Sequence, residues 1–321
     1  MSCDIVTMGE ILVEILCEDI GQSLSLPGKL SGPFPSGAPA IMIDQAALMG
    51  SRCSIISRVG SDDFAHLCLN RLNSHGVSTK HVSVSEDNST GTAFVTYQPD
   101  GERHYLFHFR YAACGELSPI HVDYQVIKNA RILHIMGCSL TGSPSMREAI
   151  IEAVRLAEKE KVKISFDPNI RKELLKGSVM DVFREILDAC DLLLSGRNEL
   201  ALLFPDESER TAFLKSKKGR IVALKAGSHG SDIISEAGAF FVPAFKTIEK
   251  DPTGAGDCFD GTFLSLLCQG YDLEKATVYA NAAGSLAVSK RGPMEGNCNL
   301  FEVEKLIQEQ GYPQITAIEN F

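Results

Sequence analysis

Short apolar runs broken by Gly, Asn, Asp and Pro set the rhythm of roughly the first hundred residues. "CDIVTM", "ILVEIL", "CSIISRV", "TAFVTY" and "HYLFHF" are rich in β-branched, aromatic and other apolar residues and predict strands. Residues 92–97 and 104–109 flank "QPDGER" and predict a hairpin. From residue 131 the runs "RILHIM", "VKISFD", "DLLLS" and "RIVALK" alternate with helical patterns such as "SMREAIIEAVRLAEKEK". A strand covered on both faces reads as an unbroken apolar run, so this alternation predicts βαβ units: a parallel sheet with helices on both sides. No repeat, low-complexity tract or Pro/Ser-rich linker interrupts the pattern. The chain therefore reads as one α/β domain over residues 1–321, with a small β-rich excursion from about 11–35 and 90–112 that is placed to act as a lid.

One helix is preceded by unusual chemistry. In "DPTGAGDCFDGTF", residues 251–263, the apolar positions Phe259, Phe263, Leu266 and Leu267 follow helical spacing, and Gly270 stands where a terminating glycine belongs. The spacing predicts a buried-face helix over 254–269, opened by Gly254, Ala255 and Gly256. Small residues there let a ligand approach the first backbone N–H groups, which with the helix dipole form an anion site suited to phosphate. Asp257 would repel that phosphate unless it takes a proton from an attacking hydroxyl while the amides hold the transferring phosphoryl group. Read without its neighbours, Asp257 is equally an ordinary first-turn acid.

Composition narrows the partners. With 44% hydrophobic and 22% charged residues the chain can bury a sizeable core, and disordered and fibrous classes are excluded. A net charge of −10 argues against nucleic acid or an anionic membrane surface as the main partner, which leaves a small molecule. No segment looks like a signal peptide or a bilayer span, so a cytoplasmic protein is expected. Ten cysteines without a C-x-x-C predict reduced, mostly buried thiols and neither zinc site nor redox pair.

The stretch 251–263 closely resembles the D-T-x-G-A-G-D signature of the PfkB or ribokinase-like carbohydrate kinases, with Pro252 as a common variant within it. The resemblance extends over nearly the whole chain through "MGEILVEI", "SGAPAIMIDQAALMGSRCSIISRVGSDDF", "ISFDPNIRKEL", "LLLSGRNEL", "VALKAGSHG" and "YANAAGSLAVSKRGP". It implies a ribokinase-like three-layer α/β sandwich with a mainly parallel central sheet and a β-lid, and an enzyme using ATP and Mg²⁺. Within the family the chain is most similar to tagatose kinases and 2-keto-3-deoxygluconate kinases. A ketohexose such as tagatose or fructose, phosphorylated at a primary hydroxyl, is the expected substrate, with the keto acid as runner-up. A sugar-phosphate or nucleotide sensor without catalysis is the rival reading.

The resemblance also assigns residues, each with a plainer alternative. Asp257 becomes the base, with Gly254, Ala255 and Gly256 as the anion hole. Ser36, Gly37 and Ala38 become sugar contacts, although Ser36-Gly37 also suits a helix cap. Glu14 takes the place of a sugar-binding Asp, or simply faces solvent from its strand. "FDPNIR" puts Asp167, Asn169 and Arg171 beyond a parallel strand, with Asn169 toward the sugar and Arg171 toward the transferring phosphate, or it is a common turn. Arg110, in "FHFR" where relatives have Tyr-Tyr-Arg, is aimed at the substrate, while Tyr105, Phe107 and Phe109 are expected to pack one lid face. Ser195, Lys225, Gly227, Gly230 and Asn281 fall in the ATP region, and Glu199 organises Mg²⁺ through water. Asp251 and Thr253 match a monovalent-cation site, K⁺ among the candidates, and whether one binds is left open, as is a homodimer joined through the lid. Two family asparagines are replaced, by Ile41 and Gly196.

Overall fold

The computed structural model describes residues 3–100, 103–170 and 179–319. The N-terminal part runs β1 (Cys3–Met8), β2 (Leu12–Cys17), β3 (Leu30–Ser36), α1 (Ala38–Leu48), β4 (Cys53–Gly60), α2 (Asp63–Ser74), β5 (Ser78–Ser85), β6 (Gly91–Tyr97) and β7 (Arg103–His108). It continues through α3 (Tyr124–Lys128), β8 (Ala130–Met136), α4 (Pro144–Glu160), β9 (Lys163–Asp167), α5 (Val179–Ala189), β10 (Leu192–Gly196), α6 (Arg197–Leu203), α7 (Glu207–Ser216) and β11 (Ile221–Lys225). The chain closes with β12 (Gly230–Ser235), β13 (Gly238–Pro243), α8 (Ala255–Cys268), α9 (Leu273–Ala287), α10 (Leu300–Gln310) and β14 (Thr316–Ala317).

The large sheet has the order β14-β13-β12-β11-β10-β9-β8-β1-β4-β5. It is parallel from β11 to β5 and antiparallel from β11 to β14. Its strands alternate between two cores. Leu192 and Leu194 face the α1, α8 and α9 side, and Leu193 faces the α4 and α5 side. Both faces are dry, which is why "DLLLS" is apolar throughout. The expected three-layer arrangement is present.

The β-rich excursion expected to act as a lid forms a separate sheet in the order β3-β2-β6-β7. Its expected hairpin pairs Thr92 with His108 and Tyr97 with Arg103. Among the runs of the first hundred residues, "CDIVTM" and "CSIISRV" join the large sheet as β1 and β4, and only the others build the lid. β5, "STKHVSVS", carries no sequence signal because it is a half-buried edge strand with polar residues on both faces. All ten cysteines are buried and free, as expected. Among the described residues no helix is long and apolar enough to cross a membrane.

His134 on β8 is fully buried, with Nδ1 2.9 Å from the Ser165 hydroxyl. Burial is the main cause that brings its pKa from 6.5 down to about 3, with the Asp167 charge opposing and the Lys225 charge adding to the fall. Between those values the unfolded chain binds the proton and the folded one does not. This residue's share of stability is therefore complete above the ordinary histidine range and should fall by about 1.4 kcal/mol per pH unit below it. Urea unfolding from neutral to mildly acid pH should show that slope reduced in His134→Asn; identical slopes would contradict the assignment.

Candidate active site

The carboxyl ends of β1, β8, β9, β10 and β11 point to one crevice, where open α/β sheets collect their ligands. The N-terminus of α8 enters the same crevice, and the small sheet contributes Arg103, Tyr105 and Phe107 to its walls. Gly254 precedes the helix at φ 80°, and a side chain there would put its Cβ 2.4 Å from the Pro293 carbonyl oxygen, so only glycine fits. Among the described residues no side chain caps this end of the helix, which leaves its backbone amides to an anion.

Asp257, in the first turn, is 5% exposed. Asn169 Nδ2 donates to Asp257 Oδ1 at 3.1 Å, and the Asn169 backbone N–H donates to Asp167 Oδ1 at 3.0 Å. That turn holds Asn169 at φ 39°, a conformation asparagine tolerates better than most side chains. Among the described residues its buried Oδ1 has no donor, and a ligand hydroxyl or water can supply one.

Two cavities meet at Asp257. The larger, about 620 Å³, also has Gly254, Ala255, Gly256, Asn169, Asp167, Glu199, Lys225, Gly227, Gly230 and Asn281 in its wall. The smaller, about 40 Å³, is bounded by Glu10, Glu14, Gly37, Ala38, Ile41, Thr253 and the lid aromatics Tyr105, Phe107 and Phe109. Those aromatics pack one lid face as expected, Tyr105 stacking on Phe107 at 5.2 Å, and that face is also the roof of the smaller cavity. At Gly37, with φ 105°, an added Cβ would lie 2.5 Å from the Glu10 carbonyl oxygen, which brings bare backbone into the wall. Ser36 lies behind it and donates to Glu14 Oε1 at 2.6 Å. Glu10 accepts from Ser139 Oγ at 2.5 Å.

Below the larger cavity the Lys225 ammonium donates to Asp167 Oδ2 at 2.9 Å and to both oxygens of Asp260, at 2.9 and 3.0 Å. Burial works against the charge of Asp167, but the Lys225 charge and the hydrogen bonds from Asp260 and Lys225 together keep this carboxyl below its ordinary range. Asp260 goes the other way, pushed well above its usual value by burial and by the neighbouring Asp167. A proton on Asp260 and a charge on Asp167 leave the cluster close to neutral. Glu199 accepts from the Gly196 and Ile170 backbone N–H groups, each at 2.8 Å; burial and then the Asp167 charge raise its pKa. Gly196 lets this carboxylate wrap close: an added Cβ would sit 2.9 Å from Glu199 Oε2.

The pfkB family carbohydrate kinase model matches residues 5–299. The chain belongs to this family. A 2-dehydro-3-deoxygluconokinase of Thermoproteus tenax is 31% identical over 281 residues, covering 85% of each chain. A fructokinase-1 of Oryza sativa subsp. japonica is 28% identical over 317 residues, covering 95% of this chain and 97% of its own. A candidate ribokinase II from E. coli, solved in complex with ATP and Mg²⁺, is 42% identical over 96% of this chain and 99% of its own, with a TM-score of 0.89.

In this carbohydrate kinase the remaining expected site residues take varied positions. Arg110 borders a third cavity with Arg147 and Tyr111 and does not border the smaller one. The Ser195 hydroxyl is turned toward the Gly196 carbonyl at 3.1 Å, inside the fold. Asn281 stands in the cavity wall with its amide already pairing Val242 O and Ser231 Oγ. Arg171 lies outside the described residues. Asp251 accepts four hydrogen bonds, from Tyr97 Oη, Gly292 N, Thr253 N and Thr253 Oγ1, and Thr253 Oγ1 in turn accepts from Arg103 Nη1 at 2.7 Å. A carboxylate with about four acceptor sites is then saturated, so these two side chains do not fit a monovalent cation here. Sequence reasoning missed Asp260, Glu10 and Arg103. Asp260 was findable, three residues after Asp257 and hence on the same helix face.

Proposed function

We propose that this PfkB sugar kinase transfers the γ-phosphoryl group of ATP to a primary hydroxyl of a ketohexose such as tagatose or fructose. The observation carrying this reading is that Asp257 belongs to both cavities, beside the uncapped start of α8. A base there can take the hydroxyl proton of a sugar on one side while the amides at Gly254 to Asp257 receive phosphoryl oxygens on the other. Asn169 orients the base through its amide. Lys225, spent on two carboxylates, stiffens the floor.

Mg²⁺ fits the hard oxygen donors of the larger cavity: Glu199, with Asp167 beside it, would hold it through retained water, since among the described residues no three ligating side chains cluster tightly enough to grip a bare ion. Bound there, it would neutralise triphosphate charge.

The smaller cavity favours a neutral sugar over the keto acid. Among the described residues its wall holds three carboxylates, Glu10, Glu14 and Asp257, and no cation. Those groups accept from hydroxyls and repel a substrate carboxylate. Homology to both fructokinases and 2-dehydro-3-deoxygluconokinase leaves this choice to chemistry. A coupled ADP-release assay with tagatose, fructose, ribose, 2-keto-3-deoxygluconate and a nucleoside should give the highest kcat/KM for a ketohexose. A keto acid ahead by about tenfold would overturn the reading, because that margin corresponds to about 1.4 kcal/mol of transition-state discrimination.

At about 40 Å³ the smaller cavity is far narrower than the larger one, and the lid aromatics lie close over it. A sugar must lift the lid and then be enclosed, which keeps water from the phosphoryl group. Hydrogen exchange in the described parts of 90–112 should slow at saturating sugar. Unchanged exchange would contradict a closing lid.

A further inference from the structure

We propose that Arg103, carried on the lid, is a catalytic residue that sets a positive charge against the phosphoryl group as it passes between the two cavities. The inference rests on the kinase reading of the site. Arg103 opens β7 in the lid, yet it lies in the wall of the larger cavity beside Gly254, Ala255, Gly256 and Asp257. Its Nη1 donates to Thr253 Oγ1 at 2.7 Å, and Thr253 borders the smaller cavity. The guanidinium thus stands at the junction, one residue from the start of the anion hole. One of its five N–H donors is used in that bond, which leaves donors for a ligand.

Charge makes the position matter. The wall of the larger cavity carries the carboxyl groups of Asp167, Glu199, Glu249 and Asp257. Lys225 is consumed by Asp167 and Asp260, and Lys246 belongs to the segment 244–249 beside Phe245. Among the described residues Arg103 forms no ion pair with a carboxylate, so its charge is available. In the reaction Asp257 takes the proton of the sugar hydroxyl, the sugar oxygen bonds to the γ-phosphorus, and the bond from that phosphorus to the β–γ bridging oxygen breaks, its electron pair leaving with ADP. Charge spreads over the equatorial oxygens of the moving group, which a planar guanidinium meets with two donors. Because the lid carries Arg103, opening the lid to admit a sugar withdraws this charge from the crevice and closing it returns the charge.

Binding separates this role from a latch. Replacing Arg103 by Gln should leave ADP affinity unchanged, weaken ADP–aluminium fluoride in the presence of sugar by about 10²-fold and lower kcat similarly, with sugar KM nearly constant. Added guanidinium should restore part of the turnover of Arg103→Ala. Tyr97→Phe, which breaks the other lid contact at Asp251, should change lid opening without that selective loss of aluminium fluoride affinity. Equal weakening of ADP and ADP–aluminium fluoride in Arg103→Gln, or turnover close to wild type, would overturn the proposal. The binding comparison needs no turnover. If the panel shows the keto acid and not a ketohexose as the preferred substrate, the substrate reading fails while the fluoride measurement, made with that acid, still decides Arg103.

Discussion

Replacing Asp257 by Asn should lower turnover by about 10²–10⁴ while leaving the fold and ATP affinity in place, the usual contribution of a positioned general base. The substitution keeps shape and removes the charge that receives the proton. Asn169 Nδ2 now donates to Asp257 Oδ1 at 3.1 Å, and an amide oxygen at 257 can still accept that bond, so the side chain should stay where it is. The expected signature is a fall in kcat with little change in sugar KM, since the interaction lost belongs to the transition state. Single-turnover measurements must show that chemistry limits both enzymes. A loss below about tenfold under that condition would remove Asp257 from the role of base, because it leaves less than about 1.4 kcal/mol for proton transfer.

Lys225→Met should cost stability on a comparable scale. It removes the cation from between Asp167 and Asp260, both essentially without solvent exposure, at 2% and 0%. Breaking a buried pair from one side typically costs about 3–5 kcal/mol because a charge is stranded. The remaining carboxyls relieve this by taking up protons, so the deficit should shrink as pH falls. In the wild type the Lys225 charge, with the hydrogen bonds from Asp260 and Lys225, holds Asp167 below its ordinary range, and that share of stability is present above the range and lost in acid. A second change, Asp167→Asn, should recover part of the loss by removing the stranded charge. Urea unfolding of the single and double variants measures both; a single variant as stable as wild type would show that the cluster carries no such energy.

Much of this architecture is legible along the chain because period and position carry it. The parallel strands announce themselves as apolar runs since both faces are covered, and α8 by the spacing from Phe259 to Leu267 behind three small residues. Asp257 was legible for the same reason: local spacing fixes where a first-turn acid points. Arg110 shows the limit. Its neighbours alternate on β7, but which cavity lies beneath it depends on how the lid sits on the body, and no local pattern holds that information. Asp251 and Thr253 show another, since their saturation comes from Tyr97, Arg103 and Gly292, far away in sequence. Lys225 lay in the right cavity with a different occupation, held by an Asp260 whose partnership only the tertiary fold reveals.

The lid also has a history within each molecule's synthesis. Its two hairpins, β2–β3 and β6–β7, are joined by a parallel pairing in which Leu12 stands opposite Gly91. The first hairpin therefore emerges from the ribosome with an unpaired edge and waits for a partner 79 residues behind it. At the roughly 5–20 residues per second of protein synthesis, that wait is about 4–16 s. Through it, β2 offers its open edge and the apolar residues Val13, Ile15 and Leu16 to any neighbouring strand. The element that later guards the reaction from water is thus, during synthesis, the one most in need of guarding, and chaperone dependence of this protein should concentrate on chains stalled between residues 40 and 90.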